Sequence, residues 1–157
     1  MPGEGFHSAD ICRRGHVVTA VHELREGPPT NFCEKCGADV IGACPDCRTP
    51  IRGSAKSMYI REYHAPNHCF HCGKAFPWTA EGLGSLRELI AESNAPGSVK
   101  VELLKDLDAL LSETPRTQIA VLRMKNFLAR TGDQVVPAVR QVVIEIATAS
   151  AKKTLGL

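Results

Sequence analysis

The amino-acid sequence predicts a small α+β protein: an N-terminal module of short β-hairpins, then a C-terminal bundle of about four α-helices. Three observations predict it. All seven cysteines lie between positions 12 and 72. Composition shifts near residue 78, from Gly, Pro and His towards Leu, Val, Ala and charged side chains. Beyond that point, four apolar stripes recur at helical spacing. The domains are therefore expected at residues 1–78 and 79–157.

The N-terminal elements follow from four short motifs. Cys12-Arg13-Arg14-Gly15-His16 is C-x-x-G-H, and Cys33-Glu34-Lys35-Cys36-Gly37 is C-x-x-C-G. Cys44-Pro45-Asp46-Cys47 is C-P-x-C, and Cys69-Phe70-His71-Cys72-Gly73 repeats C-x-x-C-G. A C-x-x-C turn places two thiolates on one side of a tight bend, and glycine after the second cysteine suits a positive φ. Zinc takes four such ligands in a tetrahedron. Cys12, His16, Cys33, Cys36, Cys44, Cys47, Cys69 and Cys72 make eight ligands, which fill two sites with no cysteine left over. The module therefore reads as a double zinc ribbon with two structural zinc ions (Zn2+). Redox C-x-x-C pairs are the weaker reading, because these motifs sit in Gly/Pro-rich turns.

Pairing is expected to be sequential, Cys12/His16 with Cys33/Cys36 and Cys44/Cys47 with Cys69/Cys72. The rival is an interleaved cross-brace. The intervening stretches of 16 and 21 residues suit hairpin excursions. His16–His22 and Met58–Tyr63 are rich in strand formers, and Glu26-Gly27-Pro28-Pro29 supplies a turn. His68 and His71, beside or within a full knuckle, are expected to face solvent or support the ligands. His7, His22 and His64 are expected at the surface.

The helices follow in order. Thr79 is the expected N-cap of the first, with Leu83, Leu86, Leu89 and Ile90 as its apolar face. Gly82-Leu83-Gly84 is only a glycine-spaced helix start. Ser98 is the expected cap of the second, with Val99, Leu103, Leu104, Leu107, Leu110 and Leu111. Thr114-Pro115 opens the third as N-cap and first-turn proline, with Ile119, Leu122, Met124, Phe127 and Leu128, and Thr131-Gly132 ends it. The fourth starts near Val135 or Pro137 and carries Val139, Val142, Val143, Ile146 and Ala149. Phe76-Pro77-Trp78 is expected to pack the second ribbon against the bundle.

Bulk properties narrow the function classes. The chain of 157 residues is 43% hydrophobic and 23% charged, values of a globular protein. Its formal charge of +2 does not by itself imply a polyanion partner. No basic leader with an apolar run opens the sequence, and no stretch approaches the roughly 18 apolar residues of a membrane span. The expected location is the reducing cytoplasm, where clustered thiols bind metal. Residues 1–78 hold nine Lys/Arg against eight Asp/Glu. Two zinc ions and seven thiolates bring that module to about −2, which argues against a phosphate-tracking face. Arg48, Arg52, Lys56 and Arg61 read first as solubilising charges. Residues 79–114 carry three Lys/Arg against seven Asp/Glu, and residues 115–157 seven against two. Internal pairing of these faces is the plainer reading. A basic surface of Arg116, Arg123, Lys125, Arg130, Arg140, Lys152 and Lys153 is the sharper one.

The motif order C-x-x-G-H, F-C-x-x-C-G, C-P-x-C-x-x-x-I-R-G and C-x-x-C-G-K-x-F-P-W-T, extended by Thr114-Pro115-Arg116-Thr117-x-x-Ala120, resembles a bacterial family of double zinc-ribbon proteins with a helical tail. The likeness covers most of residues 11–157 and implies zinc on the knuckle residues, with no activity attached. Cys44-Pro45-Asp46-Cys47-Arg48-x-x-Ile51 also resembles the last knuckle of RING fingers, but the other spacings depart from that pattern. No hydrolase, phosphate-loop or dinucleotide motif is present, and closed thiolate sites are poor Lewis acids. The expectation is a non-enzymatic, zinc-stabilised interaction protein whose partner is another protein or a second copy of itself. The alternative is a nucleic-acid-binding accessory protein using the basic C-terminal helices.

Overall fold

The structure, a computed structural model, describes residues 5–56, 62–131 and 134–157. It is α+β: short antiparallel strands with the cysteine clusters come first, and five helices follow. The chain divides into two compact units, Met1–Ala80 and Glu81–Leu157.

The first unit holds β1 (Phe6–Ser8), β2 (Asp10–Cys12), β3 (Val17–Thr19), β4 (Val40–Ile41) and β5 (Arg52–Ala55). They form two small antiparallel sheets, β1-β5 and β3-β2-β4. The expected strand after His16 is present as β3. Its partner β2 lies before the first knuckle, so the knuckle is itself the hairpin turn. Met58–Ile60 and Arg61, most of the second expected strand, lie outside the described residues. Ala9, Ile11, Ile51, Phe76 and Trp78 pack with Cys44 and Cys69 into one small core. The Phe76 and Trp78 rings stack with centroids 4.6 Å apart, and Trp78 Nε1 donates to the Pro66 carbonyl at 2.9 Å. His7 is not a free surface group: its side chain is only 14% exposed and its Nδ1 lies 3.1 Å from Glu23. Glu23 also accepts from the Ser8 hydroxyl and backbone N–H, and these bonds draw its carboxyl down to about 2. His22 is exposed as expected, yet its Nδ1 sits 2.7 Å from the buried Asp10, which raises its pKa.

The second unit contains most of α1 (Pro77–Glu92), then α2 (Gly97–Asp106), α3 (Thr117–Arg130), α4 (Val136–Ile146) and α5 (Ala149–Leu155). Leu83, Leu86, Ile90, Leu103, Leu107, Leu110, Met124, Phe127, Val139, Val143 and Ile146 form its core. Gly82 is more than a helix start, because a Cβ there would lie 2.5 Å from Ile146 Cγ2.

Several helix ends differ from the sequence expectation. Thr79 does not cap α1: it is fully buried inside the helix, and its hydroxyl donates to the Asn67 carbonyl at 3.0 Å. Pro96, not Ser98, holds the cap position of α2, with no side-chain cap bond. Regular α3 begins at Thr117, after a tight turn in which Thr117 N–H donates to the Thr114 carbonyl. Arg116, not Thr114, holds the cap position, with no side-chain cap bond; the Thr117 hydroxyl instead accepts from the Thr114 N–H at 2.8 Å and ties the turn to the helix. The last predicted helix is two. Ala147 and Thr148 are extended, and the Thr148 hydroxyl caps α5 by accepting from Ala151 N–H.

The α3 stripe is also corrected. Ile119 and Leu122 are 43% and 59% exposed, while Thr117, Ala120 and Val121 are buried. The buried stripe runs through Thr117, Ala120, Val121, Met124 and Phe127 at helical spacing, which leaves Ile119 and Leu122 on the outer side. At its edge the buried Asp106 carboxylate accepts from Arg116 at 2.5 Å and from Arg123.

Candidate metal centres

Three of the four knuckles are built on one plan. In each, the N–H of the first cysteine donates to the carbonyl five residues on: Cys33 to Ala38, Cys44 to Thr49, Cys69 to Lys74. The residue after the second cysteine donates back: Gly37 to Cys33, Arg48 to Cys44, Gly73 to Cys69. A further rung closes each loop, from Val40 to Asn31, Ile51 to Gly42 and Phe76 to Asn67. The return bond needs a left-handed residue. Gly37 and Gly73 have φ of 69° and 74°, and Arg48 takes the same place at 64°. The first knuckle is a variant, closed by Gly15 N–H to the Cys12 carbonyl and Cys12 N–H to the His16 carbonyl.

The ligand atoms gather in two groups. Cys12, His16, Cys33 and Cys36 form one, and Cys44, Cys47, Cys69 and Cys72 the other, with the atoms of each group all within 4.8 Å of one another. The grouping is the sequential one, not the cross-brace. Within the first, Cys12 Sγ lies 3.7 Å from Cys36 Sγ and 3.5 Å from His16 Nδ1, and Cys33 Sγ lies 3.6 Å from the same nitrogen. Within the second, Cys44–Cys72 and Cys47–Cys69 are 3.7 and 3.6 Å apart. These distances discriminate between chemistries. A disulfide would bring sulfurs to about 2.05 Å. A tetrahedron with metal–sulfur bonds of about 2.3 Å has sulfur–sulfur edges of about 3.8 Å and sulfur–nitrogen edges of about 3.5 Å. The residues therefore fit one tetrahedral cation in each group.

Burial is graded. Cys12, Cys33, Cys44 and Cys69 are buried, Cys36 and Cys47 are half-buried, and Cys72 is exposed. Crowding splits the acidities. The Thr49 hydroxyl, 3.3 Å from Cys47 Sγ, and the Thr49 backbone bring the Cys47 thiol down to about 5. Cys72 accepts a lowering bond from the Lys74 backbone, yet desolvation and the sulfurs of Cys47, Cys69 and Cys44 push it up to about 12. Burial pushes Cys12 up, while Cys33, against its own desolvation, is drawn to about 7 by the backbone at Lys35 and Cys36. A divalent cation at the centre relieves this mutual repulsion and lets every sulfur ionise. Lys74 meets Asp46 at 2.7 Å across the two knuckles of the second group, an exposed pair of small energetic weight.

His64, His68 and His71 stand exposed and outside both groups. Sequence reasoning missed Arg48 in a glycine position, since the C-P-x-C motif lacks the glycine that flags the bend. It also missed Phe6 and Phe70, whose rings flank Arg52. Of the basic C-terminal set, Arg116 and Arg123 are spent on Asp106 and Glu102. Lys125, Arg130, Arg140, Lys152 and Lys153 have no carboxylate within 4.0 Å among the described residues.

Two adjoining cysteine-lined clusters on short strands, followed by five helices, define a double zinc-ribbon-like protein with a helical C-terminal region. The family model described as an uncharacterized protein conserved in bacteria (DUF2321) matches residues 5–155. The chain belongs to that family. No curated protein and no solved structure matches. Among the described residues, no helix is long and apolar enough to cross a membrane.

Proposed function

We propose that this chain is a non-enzymatic interaction protein whose N-terminal unit is held together by two structural zinc ions. The observation that carries the reading is the division of eight ligands into two closed quartets. Zinc fits the set because it accepts thiolate and imidazole in tetrahedral geometry without redox change. Cys12, Cys33, Cys36 and His16 through Nδ1 hold one ion, and Cys44, Cys47, Cys69 and Cys72 the other. When bound, zinc supplies folding free energy and charge neutralisation. Catalytic zinc usually has three protein ligands and a fourth position for water or substrate, and neither quartet leaves that position.

The docking role rests on the second unit. Ile119 and Leu122, one turn apart on α3, are open to solvent. Their partner is another protein or a second copy of this chain, met in the cytoplasm. Elemental analysis of the purified chain is expected to give two zinc ions per chain. Cys36→Ser and Cys47→Ser should each remove about one ion, and the double variant both. Well under two ions in the wild type, or one site still filled in the double variant, contradicts the assignment.

A further inference from the structure

The guanidinium carbon of Arg52 lies 4.5 Å from the centre of the Phe6 ring and 4.2 Å from that of Phe70. Arg52 is on β5, Phe6 on the paired strand β1, and Phe70 inside the fourth knuckle. Three segments far apart in sequence thus meet in one cation–aromatic stack. The stack is at the surface: Phe6 and Phe70 are 51% and 55% exposed, and Arg52 is exposed. The Arg52 backbone is fixed by the β1–β5 ladder and by the Tyr63 hydroxyl, which donates to its carbonyl at 2.6 Å. Yet among the described residues the guanidinium meets no carboxylate within 4.0 Å. Its donors lie in the guanidinium plane, between the rings, held by stacking and left unpaired. Arg48 and Lys56, on the same segment, likewise have no carboxylate partner there.

We propose that Phe6, Arg52 and Phe70 form a contact site for single-stranded nucleic acid. The exposed surfaces of the two phenyl groups that Arg52 leaves uncovered stack on bases, and the fixed guanidinium edge donates two hydrogen bonds to a phosphate. An acidic peptide satisfies the guanidinium but offers no flat partners for the rings. A duplex offers phosphate but keeps its bases stacked inside. A single strand uses both features at once. The metallated unit is about −2 overall, so the contact is short and driven by stacking rather than by a long basic track. Its salt dependence is accordingly shallow: at most three phosphates, through Arg48, Arg52 and Lys56, give a log–log slope of about −2. The site lies on a different unit from Ile119 and Leu122 and goes beyond the interaction reading.

The test is fluorescence anisotropy of the full-length, zinc-loaded chain with labelled mixed-sequence 12-nucleotide DNA and RNA single strands. The same sequence as duplex and a Glu-rich peptide serve as rivals. Saturable binding to a single strand is expected, about tenfold tighter than to duplex. Arg52→Ala and Phe70→Ala should each weaken it about tenfold, and Arg52→Lys nearly as much, because charge without the planar stack does not suffice. Replacing Lys152 and Lys153 by glutamine should leave it unchanged. Zinc content is read on every variant. Should one near the knuckles lose metal, Phe6→Ala, on β1 outside every knuckle, carries the same comparison. No saturable binding, equal affinity for duplex, indifference to these substitutions, or preference for the Glu-rich peptide overturns the proposal. A wild-type chain without zinc would instead sink the metal reading, a separate result.

Discussion

Arg48 stands where the other two C-x-x-C knuckles place glycine. Its φ of 64° is the one positive value among the described non-glycine residues. An L-residue there costs about 1–2 kcal/mol against glycine, partly offset by the entropy glycine loses on folding. Arg48→Gly is therefore expected to stabilise the N-terminal unit by about 0.5–1 kcal/mol. Denaturant midpoints of the zinc-loaded proteins would show it, and an unchanged or lower midpoint would mean that the bend holds no strain. The cysteines and His16 were legible as ligands because each is half of a short motif that must bend the same way. Arg48 was not, since its positive φ comes from the closing bond to Cys44, which the motif does not spell out. The Arg52 stack was equally hidden: its partners come from positions 6 and 70, and no local period links them.

Among elements, the α2–α3 pair is bridged by a buried charge. Apolar periodicity placed α3 correctly along the chain but rotated it, counting Ile119 and Leu122 as core. The buried period runs through Thr117, Ala120, Val121, Met124 and Phe127, and a search for large apolar side chains passes over its threonine and alanine. Arg116 hydrogen bonds first, then the charges of Arg116 and Arg123, hold the Asp106 carboxyl below the usual carboxylate range against its own desolvation. Such a group stabilises the fold above its unfolded pKa of about 3.9 and loses that contribution as pH falls through the lower folded value. Asp106→Asn is expected to destabilise the helical unit by about 3 kcal/mol at neutral pH, because two arginines lose their acceptor. Urea titrations followed by helical circular dichroism should show the gap between the two proteins constant at neutral pH and closing below about pH 4. A gap that ignores pH would remove the carboxylate from the explanation. The break between α4 and α5 was similarly invisible to periodicity, although Thr148 is a serviceable cap in hindsight.

At the scale of the whole molecule, the two units are stabilised by different means. Residues 81–157 bury a continuous apolar core. The N-terminal unit has a small cluster that itself includes cysteines. Zinc binding of about 10–16 kcal/mol apparent free energy exceeds what such a cluster supplies. A strong chelator added to the full chain is expected to unfold the first unit while most of the helical circular dichroism persists. Retention of the N-terminal amide dispersion in NMR after complete metal removal would contradict this. The α+β architecture was legible from ligand spacing and apolar stripes together. The two-sheet topology was not, because β1–β5 joins strands more than forty positions apart without a sequence signal.

Every knuckle closes on itself through bonds between residues fewer than ten positions apart. Half of each quartet is therefore shaped before the distant half arrives, and capture of an ion becomes an encounter of two ready-made pincers rather than a search by four loose side chains. The remaining entropy is that of the intervening span, which grows only slowly with its length. Insertions within the turn at residues 26–29, outside every strand and knuckle, should thus be far better tolerated than a single added residue inside any pincer.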